Sequence, residues 1–121
     1  MKRVMMHAKI HRATVTDANV EYSGSITLDQ NLMDAAGILE YEQVHVVDVD
    51  NGARFETYAI SGEAGSGDVI VNGAAAHLVS KGDRVIVMAY AHVDDSEAAF
   101  WRPRIVKLDG SNLEPRVLEA R

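Results

Sequence analysis

Ser25 is the first residue of this sequence whose type and setting could support covalent chemistry. It follows Gly24 in a short polar segment between two β-like runs, and a serine hydroxyl becomes a nucleophile once a base takes its proton. A hydrolase elbow is excluded, because the Gly-x-Ser-x-Gly pattern and the helix that must follow it are both missing. Taken alone, a Gly-Ser pair is typical of an ordinary turn.

The other reactive residue types form no recognised pattern. Cysteine is absent, which excludes a thiol nucleophile, a disulfide and a cysteine-based metal site. The glycine-rich stretch 62–67 lacks the Lys-Ser/Thr pair of a phosphate-binding loop. The histidines lack paired ligand spacing, so the sequence predicts no metal site; they are His7, His11, His45, His77 and His92.

Composition and charge narrow the class of protein. A length of 121 residues predicts a single domain, 1–121. The net charge of −6, with acidic and basic residues mixed along the chain, argues against a nucleic-acid surface. No apolar run approaches the roughly 20 residues that span a bilayer, and the N-terminus lacks the apolar core of a signal peptide. We therefore expect a cytoplasmic protein that binds neither nucleic acid nor membrane.

The hydrophobic pattern predicts a mainly β fold with a few short helices. Asp29 is a candidate N-cap for a helix over Gln30–Ala36 that Gly37 ends, and shorter helices are expected over 74–79 and after the acidic residues 94–97. The tail after Gly110 is expected to be loose. Many short strands with small helices indicate a small β-barrel; the predicted strands are 9–16, 25–28, 43–49, 53–61, 69–71, 84–93 and 104–108.

Six motifs follow one another along the chain and together carry a family resemblance. They read KIHRATVT (9–16), EYSGSITLD (21–29), LMDAAGIL (32–39), NGARFETYAI (51–60), VNGAAAH (71–77) and WRP (101–103). In this order they closely resemble the bacterial pyruvoyl-dependent aspartate 1-decarboxylases, over roughly residues 3–105.

The resemblance implies a double-psi β-barrel that assembles as a homotetramer. It also implies an inactive precursor that cuts itself between Gly24 and Ser25, giving a β chain 1–24 and an α chain 25–121. Ser25 then becomes a covalent pyruvoyl group, the only cofactor implied, and Thr57 stabilises the oxyanion during cleavage.

The same resemblance implies how L-aspartate is converted to β-alanine and CO2 for pantothenate synthesis. The substrate amine forms a Schiff base with the pyruvoyl group made from Ser25, and Tyr58 protonates the carbanion. A phenol is protonated at neutral pH, so it can act as an acid when held close. The remaining implied substrate-binding residues are Lys9, Arg54, Thr57, Asn72, Gly73, Ala74 and Ala75.

Strand alternation raises one geometric problem. In a strand over 53–61, Arg54 and Tyr58 lie on one face and Thr57 on the other. A bulge or a strand end near Thr57 is expected to bring the three together.

Some positions depart from the family pattern, and two other functions stay open. Val47, Glu21 and Ile26 stand where some members have tryptophan, histidine and cysteine, which leaves open whether self-cleavage needs a helper protein. A non-catalytic β-barrel acting as an interaction module is one alternative. A pyruvoyl decarboxylase for another amino acid is the second.

Overall fold

The computed structural model describes residues 1–119, whose strands form one nine-stranded sheet in the order β2-β6-β3-β5-β4-β7-β1-β8-β9. The helical segments are α1 (Gln30–Ala36), a 3₁₀ helix (Gly73–Leu78) and α2 (Asp95–Ala98). The strands are β1 (Lys2–Thr14), β2 (Asp17–Asn19), β3 (Ser25–Asp29), β4 (Gln43–Asp48), β5 (Arg54–Gly62), β6 (Val69–Asn72), β7 (Arg84–Asp94), β8 (Arg104–Lys107) and β9 (Arg116–Glu119). The predicted mainly β fold with a few short helices is confirmed.

The sheet curls around a single apolar core. Alternate residues of β4 and β7, such as Val44, Val46 and Val87, are fully buried, as a sheet with one buried face requires. The chain after β1 bonds to two strands at once, since Val15 N–H donates to Asp83 O and Thr16 N–H to Val69 O, both at 2.8 Å. These bonds draw β6 and β7 together, which is consistent with a small β-barrel.

Local signals define α1 in both sequence and structure. The Asp29 carboxylate accepts the Asn31 N–H at 2.8 Å as the N-cap, and Gly37 ends the helix with a left-handed φ of 76°. Leu32, Met33 and Ala36 form its buried face. The predicted bounds Gln30–Ala36 are confirmed.

The two ends of the chain are more ordered than predicted. Strand β1 begins at Lys2 instead of residue 9, β2 was not predicted, and the tail expected to be loose contains β9, which pairs with β8. Asn112 fixes this tail: its Oδ1 accepts the Thr14 N–H at 2.9 Å, and its Nδ2 donates to Thr14 O and Gly67 O. A polar sequence gave no sign of contacts between such distant residues.

The helices of the described region are too short or too polar to cross a membrane.

Asp29 also holds the glycine-rich loop, and we expect its removal to destabilise the fold. Its carboxylate is buried and accepts N–H groups from Asn31, Gly65 and Gly67. Asp29→Ala should lower the free energy of unfolding by about 3 kcal/mol, since it removes a cap and two charge-assisted bonds. Urea denaturation measures this, with the exposed Asp34→Ala in the same helix as a control that should change little.

The pH dependence gives this prediction a second readout. Burial opposes ionisation of Asp29, but the N–H groups of Gly67, Asn31 and Gly65 outweigh it and hold the pKa of this carboxyl below its ordinary value of 3.8. The stabilisation is therefore fully present above pH 3.8 and is lost as the pH falls through the lower, folded-state pKa. An unchanged gap between wild type and Asp29→Ala at strongly acid pH would contradict this assignment.

Candidate active site

Ser25 begins β3 at a position where two strands enclose it. Its residue is 5% exposed, and β3 lies between β5 and β6. The antiparallel register pairs Ser25 with Asn72 of β6. Asn72 Nδ2 donates to Ser25 Oγ at 2.9 Å, so the amide fixes the direction of the hydroxyl oxygen.

Asn72 is a buried amide that uses only part of its hydrogen-bonding capacity. Its residue is 4% exposed, and the same Nδ2 also donates to Thr27 Oγ1 at 3.1 Å. Its Oδ1 is buried and has no hydrogen-bond partner among the described residues. A buried acceptor without a donor is costly, so this oxygen is suited to receive a donor from a bound molecule.

Gly73 allows the backbone on the other side of Ser25 to approach closely. A Cβ on Gly73 would lie 2.6 Å from Gly24 Cα and 2.7 Å from Gly24 N, distances that a side chain cannot occupy. Gly73 also has φ +74°, which other residues rarely adopt. The absence of a side chain at Gly73 therefore sets where Gly24 lies.

The helix start predicted after Asn72 takes a different form. Instead of an α-helix over 74–79, a 3₁₀ helix covers Gly73–Leu78. Gly73 is buried, Ala75 is half-buried and Ala74 is exposed. Tight i→i+3 bonding suits such a short segment of small residues.

The register of β3 with β5 decides which predicted residues share a face. Buried Ile26 pairs with buried Ala59 in a parallel ladder. Continuing this register by one residue places Ser25 beside Tyr58, on the face opposite the core. Thr57 points towards the core side, in line with the alternating burial of β5.

The bulge or strand end expected near Thr57 is absent, because β5 runs unbroken over Arg54–Gly62 and pairs regularly with both β4 and β3. The strand that pairs with β5 changes at this point. The β4–β5 ladder extends to Tyr58, and the β3–β5 ladder begins at Ala59. Gly24 precedes β3 and lies outside the paired part of the β3–β5 ladder.

Arg54 and Lys9 lie on the same outer surface but far from Ser25. Arg54 is four residues before Tyr58 in β5, or roughly 13 Å along the strand. Lys9 lies in β1, and β4 and β7 separate it from β5, so it is roughly 14 Å away across the sheet. One chain brings Ser25, Asn72 and Tyr58 together but leaves both cations outside that group.

Tyr58 lies against a neighbouring aromatic ring, and Arg54 lines a pocket. Tyr58 is 36% exposed, and its ring centroid lies 6.4 Å from that of Tyr41. Its cross-strand partner Gln43 lines a pocket of about 500 Å³. Arg54 lines a smaller pocket of about 250 Å³, together with His45, Val46, Val47, Phe55 and Glu56.

Thr27 is a site residue that the sequence reasoning missed. Its hydroxyl accepts from Asn72, so it helps to orient the amide that holds Ser25. Alternation along β3 could have indicated it, because residues 25 and 27 share a face.

A model of the family described as aspartate decarboxylase matches residues 1–114 of this 121-residue chain.

Proposed function

This chain belongs to the aspartate decarboxylase family, and from that premise we propose that it decarboxylates L-aspartate to β-alanine with a pyruvoyl group of its own making. Membership makes it a carboxy-lyase. The proposal adds the origin of the cofactor, the residues that act, and a cytoplasmic role in supplying β-alanine for pantothenate synthesis.

The observation that carries the proposal is the setting of Ser25. A buried hydroxyl held by a buried amide directly follows an exposed glycine whose Cα is open to solvent on the Cβ side. The oxygen is fixed while the peptide carbonyl before it has room to change geometry. These residues fit the formation of a pyruvoyl group at position 25.

Self-cleavage would begin with attack of Ser25 Oγ on the carbonyl carbon of Gly24. The peptide C–N bond breaks as the ester C–O bond forms, and the Thr57 hydroxyl would donate to the oxyanion. Loss of the Ser25 α-proton then breaks the Cβ–Oγ bond and releases Gly24 as a carboxylate. Water hydrolyses the resulting dehydroalanine, ammonia leaves, and chains 1–24 and 25–121 remain.

A pyruvoyl group at residue 25 would supply an electrophilic carbonyl for the substrate amine and an electron sink for decarboxylation. Asn72 Oδ1, which lacks a partner, would accept a hydrogen bond from the bound substrate. Tyr58, beside residue 25 on the same face, would deliver the proton that replaces the lost carboxylate. The N–H groups of Gly73, Ala74 and Ala75 are proposed to contact the substrate as well.

Intact-mass spectrometry and a product assay test this function together. Purified protein should resolve into two chains cut after residue 24, the larger one beginning with pyruvoyl, and should form β-alanine from aspartate. Turnover of aspartate well above that of glutamate would separate this activity from a pyruvoyl decarboxylase for another amino acid. An uncut chain without product would overturn the proposal, and cleavage seen only in cell extract would indicate a helper protein.

The positions of Arg54 and Lys9 support an active site shared between chains. Both cations are too far from Ser25 of their own chain to bind one aspartate there, but their outward faces can meet Ser25 of a neighbouring copy. We propose that they bind the substrate carboxylates across an interface of a homotetramer. Isolated monomers should then be inactive.

Arg54→Ala is expected to raise the KM for aspartate by about 30- to 150-fold, because a charge-assisted pair with a carboxylate contributes about 2–3 kcal/mol. Self-cleavage should continue, since Ser25 is intact. Steady-state kinetics measure the effect, with Arg54→Lys as a variant that keeps the charge but loses the bidentate geometry. A KM equal to that of wild type would show that Arg54 does not bind the substrate.

Mixed oligomers decide whether the arginine acts across an interface. When Ser25→Ala and Arg54→Ala chains assemble at random, about one quarter of shared sites combine the wild-type serine of one chain with the wild-type arginine of another. Activity should therefore reappear on co-expression. If each site used its own chain's arginine, the mixture would stay at the level of the Arg54→Ala variant.

A further inference from the structure

Three carboxylates from two turns converge on the side of the barrel where β4 ends and β7 begins. They belong to Asp48, Asp50 and Asp83, and ligand atoms from all three lie within 4.8 Å of one another. Asp48 is the last residue of β4, Asp50 lies in the turn towards β5, and Asp83 immediately precedes β7. The sequence separates Asp83 from the other two, so only folding creates this group.

Asp48 supplies an independent indication that the cluster binds something. The residue is 0% exposed. Its Oδ1 accepts the Asp50 N–H at 2.8 Å and the Asn51 N–H at 3.1 Å. Its Oδ2 is buried and has no hydrogen-bond donor among residues 1–119, and an ionised carboxylate oxygen in that position is strongly unfavourable.

In the part of the chain that the structure describes, the basic side chains near the cluster do not bond to the unpaired Asp48 Oδ2. Asp50 is already neutralised, because Arg84 Nη2 donates to its Oδ1 at 2.9 Å and the Arg84 N–H to its Oδ2 at 2.7 Å. Arg12 adds a through-space attraction on the same carboxylate. Asp83 Oδ2 accepts the Ser80 N–H at 3.0 Å, and the Asp83 carboxylate lies beside that of Asp48.

The carboxylates of Asp48 and Asp83 lie side by side in the cluster. Two adjacent carboxylates without a cation between them repel each other. A single divalent cation would neutralise both.

We propose that Asp48, Asp50 and Asp83 form a binding site for a hard divalent cation of the Ca²⁺ and Mg²⁺ class. Oxygen-only ligands select these ions over Zn²⁺ and Cu²⁺. Asp48 Oδ2 and the Asp83 carboxylate are the principal ligands, Asp50 uses a lone pair left free by Arg84, and water completes the coordination on the exposed side. The prediction of no metal site considered only histidine and cysteine spacing and could not detect this group.

The site would tie the β4–β5 turn to the start of β7. None of the three aspartates belongs to the proposed catalytic group, so the cation would act first on stability. The inference is therefore independent of the proposed decarboxylation. It can be tested on the full chain, cleaved or not.

Calorimetry with and without ions tests the site. After EDTA treatment and removal of the chelator, CaCl2 or MgCl2 should raise Tm by on the order of 5 °C or more at 100-fold excess over Kd, compared with NaCl at matched ionic strength. Isothermal titration should give a saturable binding isotherm. No rise in Tm beyond that in NaCl with either ion would overturn the proposal.

Asp48→Asn is the decisive variant, because its Oδ1 can still accept the Asp50 and Asn51 N–H groups and so keep the turn. We expect cation affinity to fall at least 10-fold, with Asp83→Asn behaving alike if the first variant does not fold. Exposed Glu63→Gln removes the same charge elsewhere and should keep the full response. A cation response that survives in both cluster variants, or a proton shared by Asp48 and Asp83 with no cation response, would refute the site.

Discussion

Replacing Ser25 with alanine is expected to leave the chain in one piece and to abolish β-alanine formation. Alanine lacks the Oγ that would attack Gly24, so neither the ester nor the pyruvoyl group can form. Because the proposed pyruvoyl group would carry the difficult chemistry, we expect activity to fall by at least about 10⁶-fold, the low end of enzymatic rate enhancements. Intact mass should show a single 121-residue chain, and circular dichroism should show an unchanged β fold.

Thr27→Val is the matched control for this result. It removes the other oxygen that accepts from Asn72 but keeps the nucleophile, so the chain should still be cut, though more slowly. Wild-type activity in Ser25→Ala would show that the enzyme works without a group at residue 25. The proposed mechanism would then be wrong from its first step.

Tyr58→Phe is expected to lower kcat by about 10²- to 10⁴-fold, the usual contribution of a positioned acid. The ring still fills its place beside Tyr41, but no hydroxyl remains to protonate the substrate carbon. Self-cleavage should be complete, since Tyr58 has no part in the proposed ester formation. Pre-steady-state kinetics on fully cleaved protein would separate this loss from incomplete maturation.

Tyr41→Phe removes a hydroxyl from the neighbouring ring and should leave kcat within about twofold, as expected of a surface change. If Tyr58→Phe also kept kcat at the wild-type level, another residue must deliver the proton. Loss of cleavage in Tyr58→Phe would instead place the phenol in maturation.

Local chemistry explains which parts of the fold could be predicted from the sequence. The Asp29 cap and the left-handed Gly37 act within one helix, so the bounds of α1 were correct to the residue. Asn51 and Gly52 correctly indicated the turn between the antiparallel strands β4 and β5. In each case the information lies within a few residues of the element.

Long-range contacts explain what was missed. Asn112 is buried and hydrogen-bonds to Thr14 and Gly67. Because both residues are distant in sequence, the sequence could not distinguish this tail from a loose one. Asp48 and Asp83 meet only because β4 and β7 are neighbours. Alternation predicted the opposite faces of Arg54 and Thr57 correctly, but the ladder end beside Gly24 depends on where β3 starts.

The site residues came from two kinds of information. The family resemblance nominated Ser25, Tyr58 and Asn72. Ser25 pairs with Asn72, and extending the β3–β5 register by one residue puts Tyr58 on the same face. Residue types alone would not have chosen them, because a serine, a tyrosine and an asparagine are each ordinary in a β protein. Their shared face depends on strand pairing, which no single sequence motif encodes.

The pairing of strand β1 affects how the protein would refold after the proposed cleavage. It pairs along nearly its whole length with β7 and also with β8, yet a cut after Gly24 would leave it without a covalent link to either. An unfolding that was reversible for one chain would then require two separate peptides to find each other again. The fold of the uncut precursor chain should be regained at any dilution, whereas the two cleaved chains should regain theirs only as their concentration rises.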